Sequence, residues 1–157
     1  RLDAMRAEEA RAIAAELAAR LAEVRRAVEQ IERLREGARQ FHHQRLHERL
    51  SELLRESVPV ERLAQEAALL AERSEVSEEL ARLRSHLQQF DDLLSSPTEG
   101  AEAGKPLDFL LQEMNREANT ILSKTSGLGE GGIRITNLGL QIKSEIEKLR
   151  EQVQNLQ

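Results

Sequence analysis

At 157 residues, with 39% hydrophobic and 32% charged side chains, the chain has the length of one domain and the composition of a folded, soluble protein. With no Cys there are no disulfides and no thiolate metal sites, and no run approaches the ~20 apolar residues that span a bilayer. The net charge of −5 speaks against a general nucleic-acid binder, and three Phe with no Tyr or Trp leave few rings for stacking on bases.

The chain opens "RLDAMRAEEA", which reads as the interior of something longer, and no signal peptide is visible. From Leu2 to Arg55 there is no Pro and one Gly, Gly37. Ile13, Leu17, Leu21, Val24, Val28, Ile31, Leu34, Ala38 and Phe41 return at coiled-coil spacing and predict one long amphipathic helix. Such a rod is too long for a compact domain, so it should bend near Gly37 or, the reading preferred here, pack against another chain. Pro59 breaks the pattern, with Ser57 as a plausible cap, and a second helical run follows. Val76, Leu80, Leu83, Leu87, Phe90 and Leu94 continue it after a slight break at Ser74 or Ser77.

"SSPTEGAEAGKP" reads as a flexible loop, 95–106, and "LDFLLQEMNREANTILSK" as a helix burying Leu107, Leu110, Leu111, Met114, Ala118, Ile121 and Leu122. "SGLGEGGIRITNLG", 126–139, reads as a Gly-rich loop with a short extended piece at Ile133–Ile135. A last helix runs from about Leu140 to Leu156. The expected fold class is therefore all-α, with long amphipathic helices in an elongated, coiled-coil-like helical bundle that oligomerises. Residues 1–94 form the arm and second helical region, and 107–157 the region with the polar helix.

Four motifs carry chemistry or its imitation. His43 and His47 sit at i, i+4, but no third ligand follows, and solvated histidines are the simpler reading. "GLGEGG" lacks the Lys and Ser/Thr of a phosphate loop and reads as a connector. In "EELARLRSH", Glu79, Arg82 and His86 share one helical face, combining an acid, a fixed cation and an imidazole. The helix from Leu107 adds Asp108, Gln112, Asn115, Arg116 and Asn119 in one file, beside Glu113 and Glu117 at i, i+4. Two like charges at that spacing and Asn inside a helix are each slightly unfavourable, so this face answers to a buried network, a metal ion or a ligand. The acidic excess of the chain is concentrated around it, in residues 56–123.

These segments, together with "IKSEIEKLREQVQNLQ", resemble the C-terminal half of the YicC/YloC family of bacterial proteins. The matching polar positions are Arg62, Glu66, Glu79, Arg82, Ser85, His86, Asp108, Gln112, Glu113, Asn115, Arg116, Glu117, Asn119, Ser123 and Lys124. The sequence departs from the family at Glu75-Val76, in the missing Arg before Leu107-Asp108-Phe109, and in the Gly-rich 126–139 segment. The resemblance implies a cytoplasmic, divalent-metal-dependent endoribonuclease acting on single-stranded or small regulatory RNA, in a ring-like and hexameric homo-oligomer, with no membrane and no DNA partner. It also implies an N-terminal domain that this sequence lacks.

On that footing Glu113, Glu117 and Asp108 are expected to hold Mg²⁺ or Mn²⁺, hard ions that prefer oxygen ligands. Arg82 and Arg116 are expected to grip phosphate, with Glu79 and His86 completing the catalytic set and His86 moving a proton. Gln112, Asn115, Asn119 and Lys124 are expected to contact RNA. The rival readings are a non-catalytic oligomerisation or assembly module, whose polar face is a buried inter-subunit network, and an RNA-binding adaptor.

Overall fold

The computed structural model describes residues 2–56, 58–95, 100–125 and 129–154. All the regular structure among them is helical: α1 (Leu2–Arg55), α2 (Val60–Ser74), α3 (Ser77–Ser95), α4 (Gly100–Thr125) and α5 (Gly129–Gln154). α1 is unbroken through Gly37, and its 54 residues make a rod of about 80 Å. The long stripe read from the sequence is the buried one. Leu17, Leu21, Val24, Val28, Ile31 and Ala38 are inside, Ile13 and Leu34 pack at the margin, and Phe41 is exposed.

What covers that stripe is the chain's own bundle, which corrects the choice between a bend and a second chain. Arg25 Nη2 reaches Asp91 at 2.6 Å and Arg84 Nη2 reaches Glu32 at 2.5 Å, so α3 runs antiparallel to α1. Arg20 meets Glu145 at 3.2 Å and Gly131 lies against Ala38, so α5 is antiparallel to α1 as well. α4 is antiparallel to both α3 and α5, with Lys124 beside Glu79 and Arg150 beside Asp108. The four form an up-and-down bundle around Leu80, Leu83, Leu87, Phe90, Leu111, Met114, Ile121, Ile142 and Leu149. The far end of α1 projects beyond it and carries α2, which folds back so that Glu66 shares a groove with Arg45, Glu48, Arg49 and Glu52.

Two loop readings are overturned. Residues 100–106 belong to α4, with Pro106 inside the helix. Ala101, Glu102 and Ala103 are good helix formers, and Pro106, in the second turn, costs a backbone bond and crowds the preceding turn while the helix continues through it. Residues 129–139 belong to α5, including Ile133–Ile135, which are helical rather than extended; Ile135 is buried. Residues 96–99 and 126–128, with Ser57 and Leu156, lie outside the described residues.

The glycines that suggested a loop serve packing and a turn. A Cβ on Gly139 would stand 2.9 Å from Leu122 Cδ2, so its absence lets α5 close on α4. Gly129 has φ +69°, a left-handed conformation that favours glycine, and Phe41 lies against it. Capping also differs from expectation: the Glu75 carboxylate accepts from the Ser77 N–H at 2.8 Å, at the head of α3.

Glu145 shows how charge is tolerated at the bundle margin. Burial pushes its carboxyl up, but bonds from Lys148 at 2.6 Å and Arg20 at 3.2 Å outweigh it and hold it below the ordinary carboxylate range. A depressed carboxyl stabilises the fold above its unfolded pKa, and that contribution is lost as pH falls through the folded value. Glu145→Gln is expected to lower stability by about 1–2 kcal/mol at neutral pH. It should also flatten the acid side of a stability-versus-pH curve measured by urea unfolding.

Candidate functional site

The two motif segments meet across the α3–α4 groove. Helical periodicity puts Glu79, Arg82 and His86 on one edge of α3, and Glu113, Glu117 and Lys124 on one edge of α4. Lys124 Nζ donates to Glu79 Oε1 at 2.7 Å and to the Glu75 carbonyl at 2.9 Å. Arg82 bridges Glu78 on its own helix and Glu117 Oε1 at 3.4 Å across the groove. Glu79 is 4% exposed and Glu117 7%, so these are charges withdrawn from water and matched by cations. Glu117, and then Glu78, raise the Arg82 guanidinium above its already high value, so it is a permanent cation.

Beyond these rungs the ladder is incomplete. By the register they set, His86 lies one turn past Arg82 and level with Glu113, one turn before Glu117. His86 Nδ1 is buried and without a hydrogen-bond partner among the described residues, as is Glu79 Oε2. Buried polar atoms are paired in the great majority of cases, and exceptions gather where something else is to be bound. Arg116, 74% exposed, stands at the mouth with Glu113 2.9 Å from its Nη1.

Other predicted site residues are placed differently. Asp108 is on the α5 edge of α4, where it accepts from Gln112 at 2.8 Å and from Arg150 Nε at 3.1 Å. It therefore does not join Glu113 and Glu117. Asn115 and Asn119 share its side of the helix, Asn119 exposed and Asn115 partly so. Lys124, expected to contact RNA, turns into the groove and is spent on Glu79 and Glu75. His43 and His47 are exposed on α1. The reading of the sequence missed Glu75 and Arg150. Both lie outside the motif helices' polar faces, and no spacing within one helix signals a partner on another.

The residues named for a metal do not make a ready cage. Glu113 is held by Arg116, Glu117 by Arg82 and Asp108 by Arg150, and Asp108 points to a different helix. Among the described residues no group of three or more His, Asp or Glu side chains is arranged to hold a metal ion. What the groove offers chemically is an imidazole with a free ring nitrogen, carboxylates on either side and two arginines at the opening.

Comparison with known proteins bears on what this groove belongs to. The family model described as "Endoribonuclease YicC-like, C-terminal" matches residues 31–157. A probable endoribonuclease YicC of Clostridioides difficile (strain 630) is 39% identical over 159 residues, covering 100% of this chain and 52% of that protein. A probable endoribonuclease YicC of Haemophilus influenzae (strain ATCC 51907 / DSM 11121 / KW20 / Rd) is 41% identical over 97 residues, covering 62% of this chain and 31% of the relative. The chain thus spans about half the length, or less, of these curated relatives. Its match to the family model from α1 to its last residue shows that the chain belongs to the YicC-like endoribonuclease family, as its C-terminal part.

Proposed function

We propose that this chain is the C-terminal part of an endoribonuclease that cuts single-stranded or small regulatory RNA, with its chemistry at the α3–α4 groove. Family membership supports the activity class. The structural observation that carries the location is His86 Nδ1, buried without a partner among the described residues, one helical turn from Arg82 and level with Glu113. Phosphodiester cleavage needs charge neutralised on the phosphate, a nucleophile activated and a leaving oxygen protonated. Arg116, exposed and released from Glu113, and Arg82 at the groove edge bind the non-bridging oxygens. His86 carries the proton, and Glu79, two turns earlier on the same edge, holds Lys124 in the groove.

Dependence on Mg²⁺ or Mn²⁺ is part of the proposal and rests on the resemblance, not on a cage in this chain. Mg²⁺ is commonly held by one or two carboxylates together with substrate phosphates and water, so a preformed cage is not required. Self-association into a ring-like homo-oligomer belongs to the same reading, supported by Leu54, Val60 and Leu69 exposed on the projecting α1–α2 hairpin. Among the described residues no helix is long and apolar enough to cross a membrane.

The test is incubation of the protein with an end-labelled single-stranded RNA in Mg²⁺ or Mn²⁺, with EDTA and Glu113→Gln as controls. The expected result is cutting that EDTA abolishes and Glu113→Gln loses, with helix content unchanged because Glu113 pairs, among the described residues, with the exposed Arg116 of its own helix. Cutting that survives EDTA would remove the cation from the proposal, and cutting that survives Glu113→Gln would remove that carboxylate. The second reading, an assembly module, is favoured by the engagement of Glu117, Glu79 and Asp108 in interhelical ion pairs that set helix register. It is the reading that stands if no RNA is cut and thermal stability is indifferent to EDTA.

A further inference from the structure

On the opposite side of the bundle α1 and α5 enclose a second, open cleft of about 540 Å³, lined by Gln30, Arg33, Leu34, Arg134, Asn137 and Leu138. That volume lies within the ordinary range for ligand clefts, about 300–1,000 Å³. Its charge is the unusual part. Arg20, Arg25, Arg35, Arg84 and Arg150 each hold a carboxylate. Arg33 and Arg134, one from each wall, have no ion-pair or hydrogen-bond partner among the described residues. In a chain with a net charge of −5, two guanidinium groups without an ion pair thus line one cleft.

We infer that this α1–α5 cleft is a binding groove for the phosphodiester backbone of single-stranded RNA, separate from the α3–α4 groove. The inference rests on the endoribonuclease reading for the identity of its ligand. Guanidinium forks match phosphate oxygens in geometry and stay charged at any physiological pH. Gln30 and Asn137 add amides that both donate and accept, as a ribose 2′-hydroxyl requires, and Leu34 and Leu138 supply an apolar floor for sugar and base faces.

A polymer fits better than a single nucleotide because a second contact point stands farther along α1. Two turns on from Leu34, Phe41 is 41% exposed with the Arg45 guanidinium 5.9 Å over its ring. It lies against the head of α5 at Gly129, about 12 Å from Arg33 along the helix. One exposed ring backed by a cation is a stacking platform for an unpaired base. Because the cleft lies across the bundle from His86 and Arg82, a strand seated in it is not the segment being cut in that copy. The groove governs affinity, not the chemical step.

The test is binding of a fluorescent single-stranded RNA in EDTA, so that cleavage plays no part, at several salt concentrations. Wild type is compared with Arg33→Gln/Arg134→Gln and with a charge-matched control, Arg11→Gln/Arg55→Gln, whose arginines are exposed on α1 outside the cleft. The groove variant should bind about tenfold or more weakly at low salt. Its slope of log affinity against log salt should fall by about 1.4, two phosphate contacts' worth for a single strand, while the control changes little. Equal weakening in both doubles would mean diffuse attraction and would overturn the groove, as would unchanged binding in the first. Circular dichroism of both variants excludes unfolding as the cause. Failure of the nuclease reading looks different: a protein that binds RNA through these arginines but never cuts it keeps the groove and loses the enzyme. With cutting intact, the groove variant should raise KM and leave kcat unchanged; a fall in kcat at unchanged affinity would sink the proposal.

Discussion

His86→Ala is expected to lower the rate of RNA cutting at saturating RNA by about two to four orders of magnitude, the usual weight of a positioned proton carrier. The expectation follows from where the imidazole sits. It shares an edge of α3 with Arg82 and Glu79, its Nδ1 is buried without a partner among the described residues, and the antiparallel register of α3 and α4 sets it level with Glu113. A histidine held in place by its own hydrogen bonds would serve the fold, and its loss would appear in stability. Here the unfolding midpoint should hardly move, because no hydrogen bond is given up. The measurement is single-turnover cleavage across pH beside a thermal melt. Full activity with a lowered melting temperature would assign His86 to packing and move the chemistry elsewhere. The same pair of readouts on Arg82 is less decisive, since Arg82 also ties α3 to α4 through Glu117.

The largest effect on folding is expected at Phe90. It is fully buried, the largest of the fully buried side chains, and sits on α3 where that helix meets α1 and α4. Phe90→Ala removes a ring and leaves a cavity that the packed helices around it cannot fully close, at a cost of about 3–5 kcal/mol. Against the 5–15 kcal/mol typical of a whole domain, that is a large part of the stability. Urea unfolding should show the transition midpoint falling sharply with its steepness retained. Phe109, 60% exposed, is the control, and Phe109→Ala should be nearly silent. If the two substitutions proved alike, the packing of α3 against the bundle would be wrong.

Both predictions bear on how far the fold and site were legible beforehand. The apolar stripes of α1, α3, α4 and the second half of α5 were readable because a 3.6-residue repeat encodes burial directly. The Gly-rich segment was misread because glycine is scored by composition as a breaker, at about 1 kcal/mol each in a helix. At Gly139 that penalty is offset by contact with Leu122, which no inspection of one segment shows. Residues 100–106 were misread for a related reason: one Pro and two Gly outweighed the alanines and the glutamate between them. The long α1 was read correctly as a helix, but its buried stripe needs neither a bend nor a second chain for cover, since α3 and α5 of the same chain supply it.

The sequence by itself determined that the protein is helical, which face of each helix is apolar, and that α3 and α4 carry an unusual set of acids, amides and arginines. It also carried the family resemblance that the comparison bears out. Only the tertiary structure decided which of those side chains meet. Asp108 and Glu113 are five residues apart on one helix, yet the first turns to Arg150 of α5 and the second lies on the α3 edge. Lys124 looked like a surface cation and is half-buried against Glu79 and Glu75. Arg33 and Arg134 looked like ordinary surface charge until α1 and α5 brought them to one cleft. The physical reason is common to all three: helical periodicity assigns a residue to a face, but its neighbour across that face depends on the packing of cores far away in the chain.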